Sequence, residues 1–182
     1  LNSIEDHLYC IKKIKETLLE QISEIGKLCI DVIEKGNTIY FIGNGGSAAD
    51  CQHLAAEFAG RFVKERKALP AIALTTDTSL LTAVGNDYSF DDIFVRQVNA
   101  FVKQGDILVG ITTSGNSINI LNAVGRAKEK GALTIGLTGK DGGELKDICD
   151  YCIIVPSDIT ARIQESHILI GHMICEMVDE VF

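Results

Sequence analysis

Tryptophan is absent from these 182 residues, and proline occurs only at Pro70 and Pro156. With so few helix breakers, long uninterrupted elements are open to the chain. Basic residues are outnumbered, 17 Lys and Arg against 25 Asp and Glu, giving a formal net charge of −8. They form no dense cluster, so neither a nucleic-acid surface nor an anionic-membrane surface is indicated. An anionic substrate would have to be held locally, by backbone N–H groups or single cations. No apolar run approaches the ~20 residues of a membrane span, and the charged residues close behind Leu1 are unlike a signal peptide. What is there is apolar: 46% of residues, too many for a disordered chain and enough for one domain with a sizeable core. Four of the six cysteines sit in apolar periodic segments, as reduced core thiols do. Cys149 and Cys152 form a lone CxxC, weak evidence for zinc or redox chemistry. A cytoplasmic location is expected.

Residues 4–34 carry Ile4, Leu8, Ile11, Ile14, Leu18, Ile22, Ile25, Leu28 and Val32 at steps of three and four, which predicts one amphipathic helix. It would be roughly 45 Å long, more than the domain's own core needs, so helix–helix packing between subunits is one reading and packing across its own sheet the other. Thereafter the chain alternates. TIYFIG (38–43), AIALTT (71–76), DILVGITT (106–113), LTIGLTG (133–139) and YCIIVP (151–156) read as buried strands. Helices are expected from the end of the first strand to about 62, over a short stretch after the second strand, and over about 91–103, 117–130 and 159–181; GNDYSFDD (85–92) reads as a loop. This predicts a single α/β domain, a parallel sheet covered on both faces, with ligands beyond the carboxyl ends of the strands.

Three of those strand ends are rich in small or hydroxyl residues. The first runs into Asn44, Gly45, Gly46 and Ser47, the second ends in Thr75, Thr76 and Asp77, and the third runs into Thr112, Thr113, Ser114, Gly115, Asn116 and Ser117. Each alone is equally well a helix cap; together on one sheet edge they suit a phosphate or sugar hydroxyls. Gly43, Gly45 and Ala48 match the dinucleotide pattern G-x-G-x-x-A, but no acid ends the second strand at the required distance. No Lys follows the glycines, which excludes a Walker loop.

His53 and Glu57 are spaced i,i+4 and share a helix face just behind the glycine-rich loop. The bland reading is a surface ion pair. On the last helix stand Gln164, His167 and His172. Gln164 and His172 are ~12 Å apart along the axis. They meet one ion only if Gln164 stretches, or if they come from different subunits. Two His, a Glu and an amide can bind zinc, although Gln is an unusual ligand and His172, in an apolar helix, reads equally as a core histidine.

GNGGS, HLAAEFAGRF, LPAIAL, VGNDYSFDDIF, GDILVGITTSGNS, LTGKDGG and RIQESH followed by His172, in this order, resemble the sugar isomerase (SIS) domain family over nearly the whole chain. The resemblance implies a flavodoxin-like three-layer sandwich with a five-stranded parallel sheet, residues 1–36 forming an oligomerisation helix and 37–182 the α/β core and C-terminal helix. It implies a homotetramer with active sites between subunits, and interconversion of sedoheptulose 7-phosphate and D-glycero-D-manno-heptose 7-phosphate, the first step toward the heptose of lipopolysaccharide. By the same resemblance Glu57 is the catalytic base and His172 the acid. The resemblance also implies that His53, Glu57, Gln164 and His172 are zinc ligands, as in some members. It implies that Asn44, Gly45, Gly46, Ser47, Asn86, Asp87, Thr112, Thr113, Ser114, Ser117 and Gln164 bind substrate.

Thr112-Thr113-Ser114 stands where many members have Ser-Thr-Ser, and Ala48-Ala49 where some carry a larger residue such as His. The first change keeps the hydroxyl; the second is expected to alter the pocket. A non-enzymatic branch of the family, which binds the bacterial replication initiator, lacks the Glu and the His found here at Glu57 and His172. Their presence favours the enzyme over a binding or phosphosugar-sensing module.

Overall fold

The computed structural model describes residues 2–182; Leu1, where the expected 1–182 domain begins, lies outside the described residues. Five parallel strands form one sheet in the order β2-β1-β3-β4-β5: β1 (Ile39–Gly43), β2 (Ala71–Ala73), β3 (Ile107–Ile111), β4 (Leu133–Gly139) and β5 (Tyr151–Val155). This is the flavodoxin-like order, with its reversal point between β1 and β3. The predicted second strand shrinks to three residues, because Leu74 bonds back to Phe41 and the chain then turns away.

Alternation along the strands sorts the core into two layers. Ile39, Phe41, Val109 and Ile111 face α1 (Ser3–Thr17), α2 (Leu19–Glu34), α3 (Gly46–Ala59) and α8 (Thr160–Val181). Tyr40, Ile42 and Leu108 face α4 (Thr78–Asp87), α5 (Ile93–Phe101), α6 (Ile118–Glu129) and α7 (Leu145–Ile148). Ile39, Ile42, Ile107 and Leu108 are wholly buried, each stabilising the fold by about 1.5–3 kcal/mol relative to exposure.

The single N-terminal helix expected over 4–34 is interrupted. Leu18 departs from helical dihedrals (φ −118°, ψ −6°) and separates α1 from α2. The hydrogen-bond ladder still crosses the break, Leu18 donating to Ile14 and Ile22 to Leu18, so it is a local kink. Thr17 contributes, since its hydroxyl bonds the Lys13 carbonyl one turn back. Six residues of α2 are buried but only Cys10 and Ile14 of α1, so α2 does the packing on this chain's core.

Two further boundaries differ from expectation. GNDYSFDD is largely helical: Gly85, Asn86 and Asp87 end α4, and Phe90–Asp92 form a 3₁₀ turn. Asp77 makes this possible by capping α4, its carboxylate accepting from the N–H of Leu80. The short helix α7 had no periodicity to reveal it in four residues.

Candidate active site

At the reversal point of the sheet, β1 and β3 deliver their loops to one cavity of about 110 Å³, lined by Asn44, Ser47, Thr112, Thr113, Ser114, Ser117 and Gln164. Neither Gly45 before α3 nor Ser117 before α6 caps its helix with a side-chain bond. The Ser117 hydroxyl lies instead 3.0 Å from that of Thr112. Two helix starts with free N–H groups and several hydroxyls therefore line one space, which suits an anion. Gly45 makes the turn into α3 at φ +55°, ψ −121°, a region a side chain would strain. A Cβ on Gly46 would come within 2.8 Å of the Gln164 amide, which places the end of that α8 side chain directly against the loop.

The loop is braced from outside the cavity. Asn44 and Asn119 exchange amide hydrogen bonds of 2.9 Å in both directions, and the Thr75 hydroxyl donates to the Ala48 carbonyl. Gly115, at φ +70°, lies so close to the chain at Gly142 that a methyl group would collide with the Gly142 carbonyl. The Glu144 N–H donates to the Asn116 side chain at 2.9 Å. The KDGG segment is thus the back wall of the TTSGNS loop, which explains why both belong to one motif string.

Asn86 and Asp87 fall elsewhere. Asn86 lines a larger neighbouring cavity of about 630 Å³ with Asn44, Gly45, Thr75 and Phe90, and its amide bonds the Asp87 carboxylate. Both are exposed in the single chain.

His53, Glu57 and His172 come together in one subunit, their ligating atoms within 4.8 Å of one another. His53 Nε2 is 3.0 Å from Glu57 Oε1, and the His53 and His172 rings sit edge to face with centroids 5.0 Å apart. Gly171 allows this approach: it packs against Leu54, where a Cβ would clash, so the neighbours His172 and His53 meet. Phe62 covers the His172 ring, centroids 5.3 Å apart. The Glu57 side chain is 20% exposed and that of His53 48%, so the cluster faces an open surface of the isolated chain. Gln164 is in the hydroxyl cavity, and the three-residue cluster forms without it. One turn before His53, burial holds the Asp50 carboxyl above its ordinary pKa, with His53 drawing it back.

These residues fit a zinc ion. His172 Nε2 is buried without a hydrogen-bond partner among the described residues, as is His167 Nδ1, but His172 alone of the two has other ligand groups beside it. The donor set of two imidazoles and a carboxylate is one zinc uses, at bonds of about 2.0–2.2 Å. The core histidine of α8 is His167: fully buried, with Nε2 3.0 Å from the Thr138 carbonyl and its pKa lowered to about 4 by burial.

Sequence reasoning missed Asn119, Phe62 and the pair Arg66–Asp179. Arg66 Nε donates to Asp179 Oδ1 at 2.6 Å, with both side chains buried. Burial alone would raise the Asp179 pKa, but the N–H of Lys64, the Arg66 guanidinium and the N–H of Val63 outweigh it and hold it below the ordinary carboxylate range. No short spacing signals a contact between residues 113 apart in sequence.

The SIS domain model matches residues 4–139. A phosphoheptose isomerase of a Nitratiruptor species is 53% identical over 177 residues, covering 97% of this chain and 95% of that protein. Among solved structures, phosphoheptose isomerase GmhA from Neisseria gonorrhoeae superposes with a TM-score of 0.92 at 43% identity, over 98% of this chain and 95% of that one. A phosphoheptose isomerase from Francisella tularensis gives 0.96 at 40% identity, with the same coverage. By sequence and by fold, the chain belongs to the SIS domain family, among its phosphoheptose isomerases.

Proposed function

We propose that this protein is an aldose–ketose isomerase that converts sedoheptulose 7-phosphate to D-glycero-D-manno-heptose 7-phosphate through an enediol, at the start of lipopolysaccharide heptose synthesis. The observation that carries this reading is the convergence of Glu57 and His172 behind a hydroxyl-lined anion cavity. The relatives at about half identity over nearly full length bear the matching name.

The reaction moves a proton between C1 and C2, which takes a base for the carbon-bound proton and an acid for the carbonyl oxygen. Glu57 takes the proton and His172 protonates the oxygen; a carboxylate and an imidazole in differing environments suit the two tasks. Ser47, Thr112, Thr113, Ser114 and Ser117 hold the phosphate, with Asn44, Gly45, Gly46 and Gln164 around it. Asn86 serves the sugar from the adjoining cavity, with Asp87 hydrogen-bonded to it. Phosphate binding far from the reacting carbons holds the open-chain sugar in a reactive pose. His53, Glu57 and His172 would hold one zinc ion per subunit, which when bound supplies stabilisation of charge on the substrate oxygens; a carboxylate tied to zinc is a poorer base, so Glu57 shifts between ligand and base. Gln164 is the candidate fourth ligand, from a second subunit or by reaching down α8.

The working form is a homotetramer with its active sites between subunits. Two observations support it. The cluster is open in the single chain, whereas this chemistry needs a water-poor site. Ile4 is 72% exposed, and Leu8 and Tyr9 are each 62% exposed, on α1, an apolar face suited to another subunit. Residues 1–36 are then the oligomerisation segment and 37–182 the catalytic body. No helix among the described residues is long and apolar enough to cross a membrane, and the site is read as working in the cytoplasm.

The test is Glu57→Gln. It should abolish formation of the aldoheptose phosphate while sedoheptulose 7-phosphate still binds; a fully active variant would remove Glu57 as base.

A further inference from the structure

Arg66 sits in the segment between α3 and β2, and its guanidinium reaches four acceptors at once. Nη2 donates to the Glu57 carbonyl at 2.7 Å, Nη1 to the carbonyls of Phe58 at 2.9 Å and Lys67 at 3.0 Å, and Nε to Asp179 at 2.6 Å. The other Asp179 oxygen accepts from the N–H groups of Val63 at 2.8 Å and Lys64 at 2.9 Å. Glu57 and Phe58 are in the last turn of α3, whose carbonyls lack helical partners, and a cation there is favourable. Capping alone would not require Asp179. That residue lies on α8, seven positions after His172, two turns along the same face. One planar group thus ties the backbone of Glu57 to the helix face carrying His172. Between its two anchors the same segment lays Phe62 on the His172 ring.

We infer that Arg66 and Asp179 are positioning residues that set the separation of the α3 groups His53 and Glu57 from His172 on α8. The inference rests on the function proposed above. Only a guanidinium carries donors in a fork that serves Glu57 and Asp179 together; an ammonium keeps the charge and loses the geometry. The hydroxyl cavity lies at the opposite end of α3, and its one α8 residue, Gln164, stands about four turns from Asp179, away from the clamp.

The test uses full-length Arg66→Lys, with cobalt(II) as a visible-absorbing probe of the His–Glu–His cluster and steady-state kinetics with sedoheptulose 7-phosphate. The clamp predicts a loss of cobalt affinity on the order of 10- to 100-fold, as for other groups that orient metal ligands. It also predicts an altered cobalt absorption band and a fall in kcat with KM unchanged. If Arg66→Lys fails to fold, Asp179→Asn carries the same comparison. Unchanged cobalt affinity, spectrum and kcat, with only a lower Tm, would overturn the inference and leave the pair as a helix cap. A wild type that neither binds cobalt nor turns over substrate would overturn the functional reading and this inference with it. A wild type active in both, and equalled by the variant, overturns the clamp alone.

Discussion

His53 and His172, 119 positions apart in the chain, meet edge to face at 5.0 Å with their ring planes at 75°. They meet because α3 and α8 touch at Leu54 and Gly171, the residues beside them. Two imidazoles this close, with Glu57 against one of them, form a cluster of three groups that could hold a metal ion.

Zinc should therefore stabilise the fold. At a free concentration 100 times its Kd, an ion bound only by the native state adds about 2.7 kcal/mol. Thermal unfolding with and without zinc checks this. The shift should be present in wild type and absent in His172→Ala.

The phosphate cavity makes a separate prediction. Thr112→Val removes a buried hydroxyl that contacts Ser117 while keeping the side-chain shape. Loss of one hydrogen bond to a charged ligand, about 1.5–3 kcal/mol, should raise KM for sedoheptulose 7-phosphate by roughly ten-fold or more. Steady-state kinetics should show kcat much less affected, because the hydroxyl lines the phosphate cavity and Glu57 does not.

Gly115→Ala should be more damaging than its size suggests. Its φ of +70° and the Gly142 carbonyl leave no room for a methyl group. Strain of this kind costs on the order of 1–3 kcal/mol, and the loop must move to relieve it. Substrate affinity, measured by calorimetry, should fall together with Tm.

His167 predicts the response to acid. Burial lowers its pKa from 6.5 to about 4, so between those values the unfolded chain binds the extra proton and the native one does not. Stability from this group is complete above pH 6.5 and is lost as pH falls toward 4, by roughly 3 kcal/mol in all. Urea unfolding at pH 7.5 and 4.5 should show a smaller acid loss in His167→Gln than in wild type.

Much of this was readable from residue order. Short continuous apolar runs marked every strand, because a parallel sheet covered on both faces buries whole strands, and the expected helices covered all but α7, with α1 and α2 read as one. The kink at Leu18 was not readable, since it leaves the apolar spacing intact. Nor was the extent of α4: Gly, Asn and Asp ordinarily signal a turn, and the Asp77 cap prevailed over them. Composition and spacing gave His53–Glu57 as one pair and His172 as a histidine of two possible kinds. The family resemblance grouped them, and the packing of Gly171 on Leu54 is the contact that brings them together; in the same helix it is His167 that is fully buried and bonded to the Thr138 carbonyl. Arg66 and Asp179 carry no spacing signal, being 113 positions apart, and only the fold pairs and buries their side chains.

The central claim is proton transfer between C1 and C2 of a heptose phosphate. Proton NMR of the purified protein with sedoheptulose 7-phosphate in heavy water, with and without zinc, tests it most directly. The predicted result is an aldoheptose 7-phosphate carrying deuterium at C2, formed faster with zinc. Folded protein that yields no aldoheptose in either condition would contradict the account.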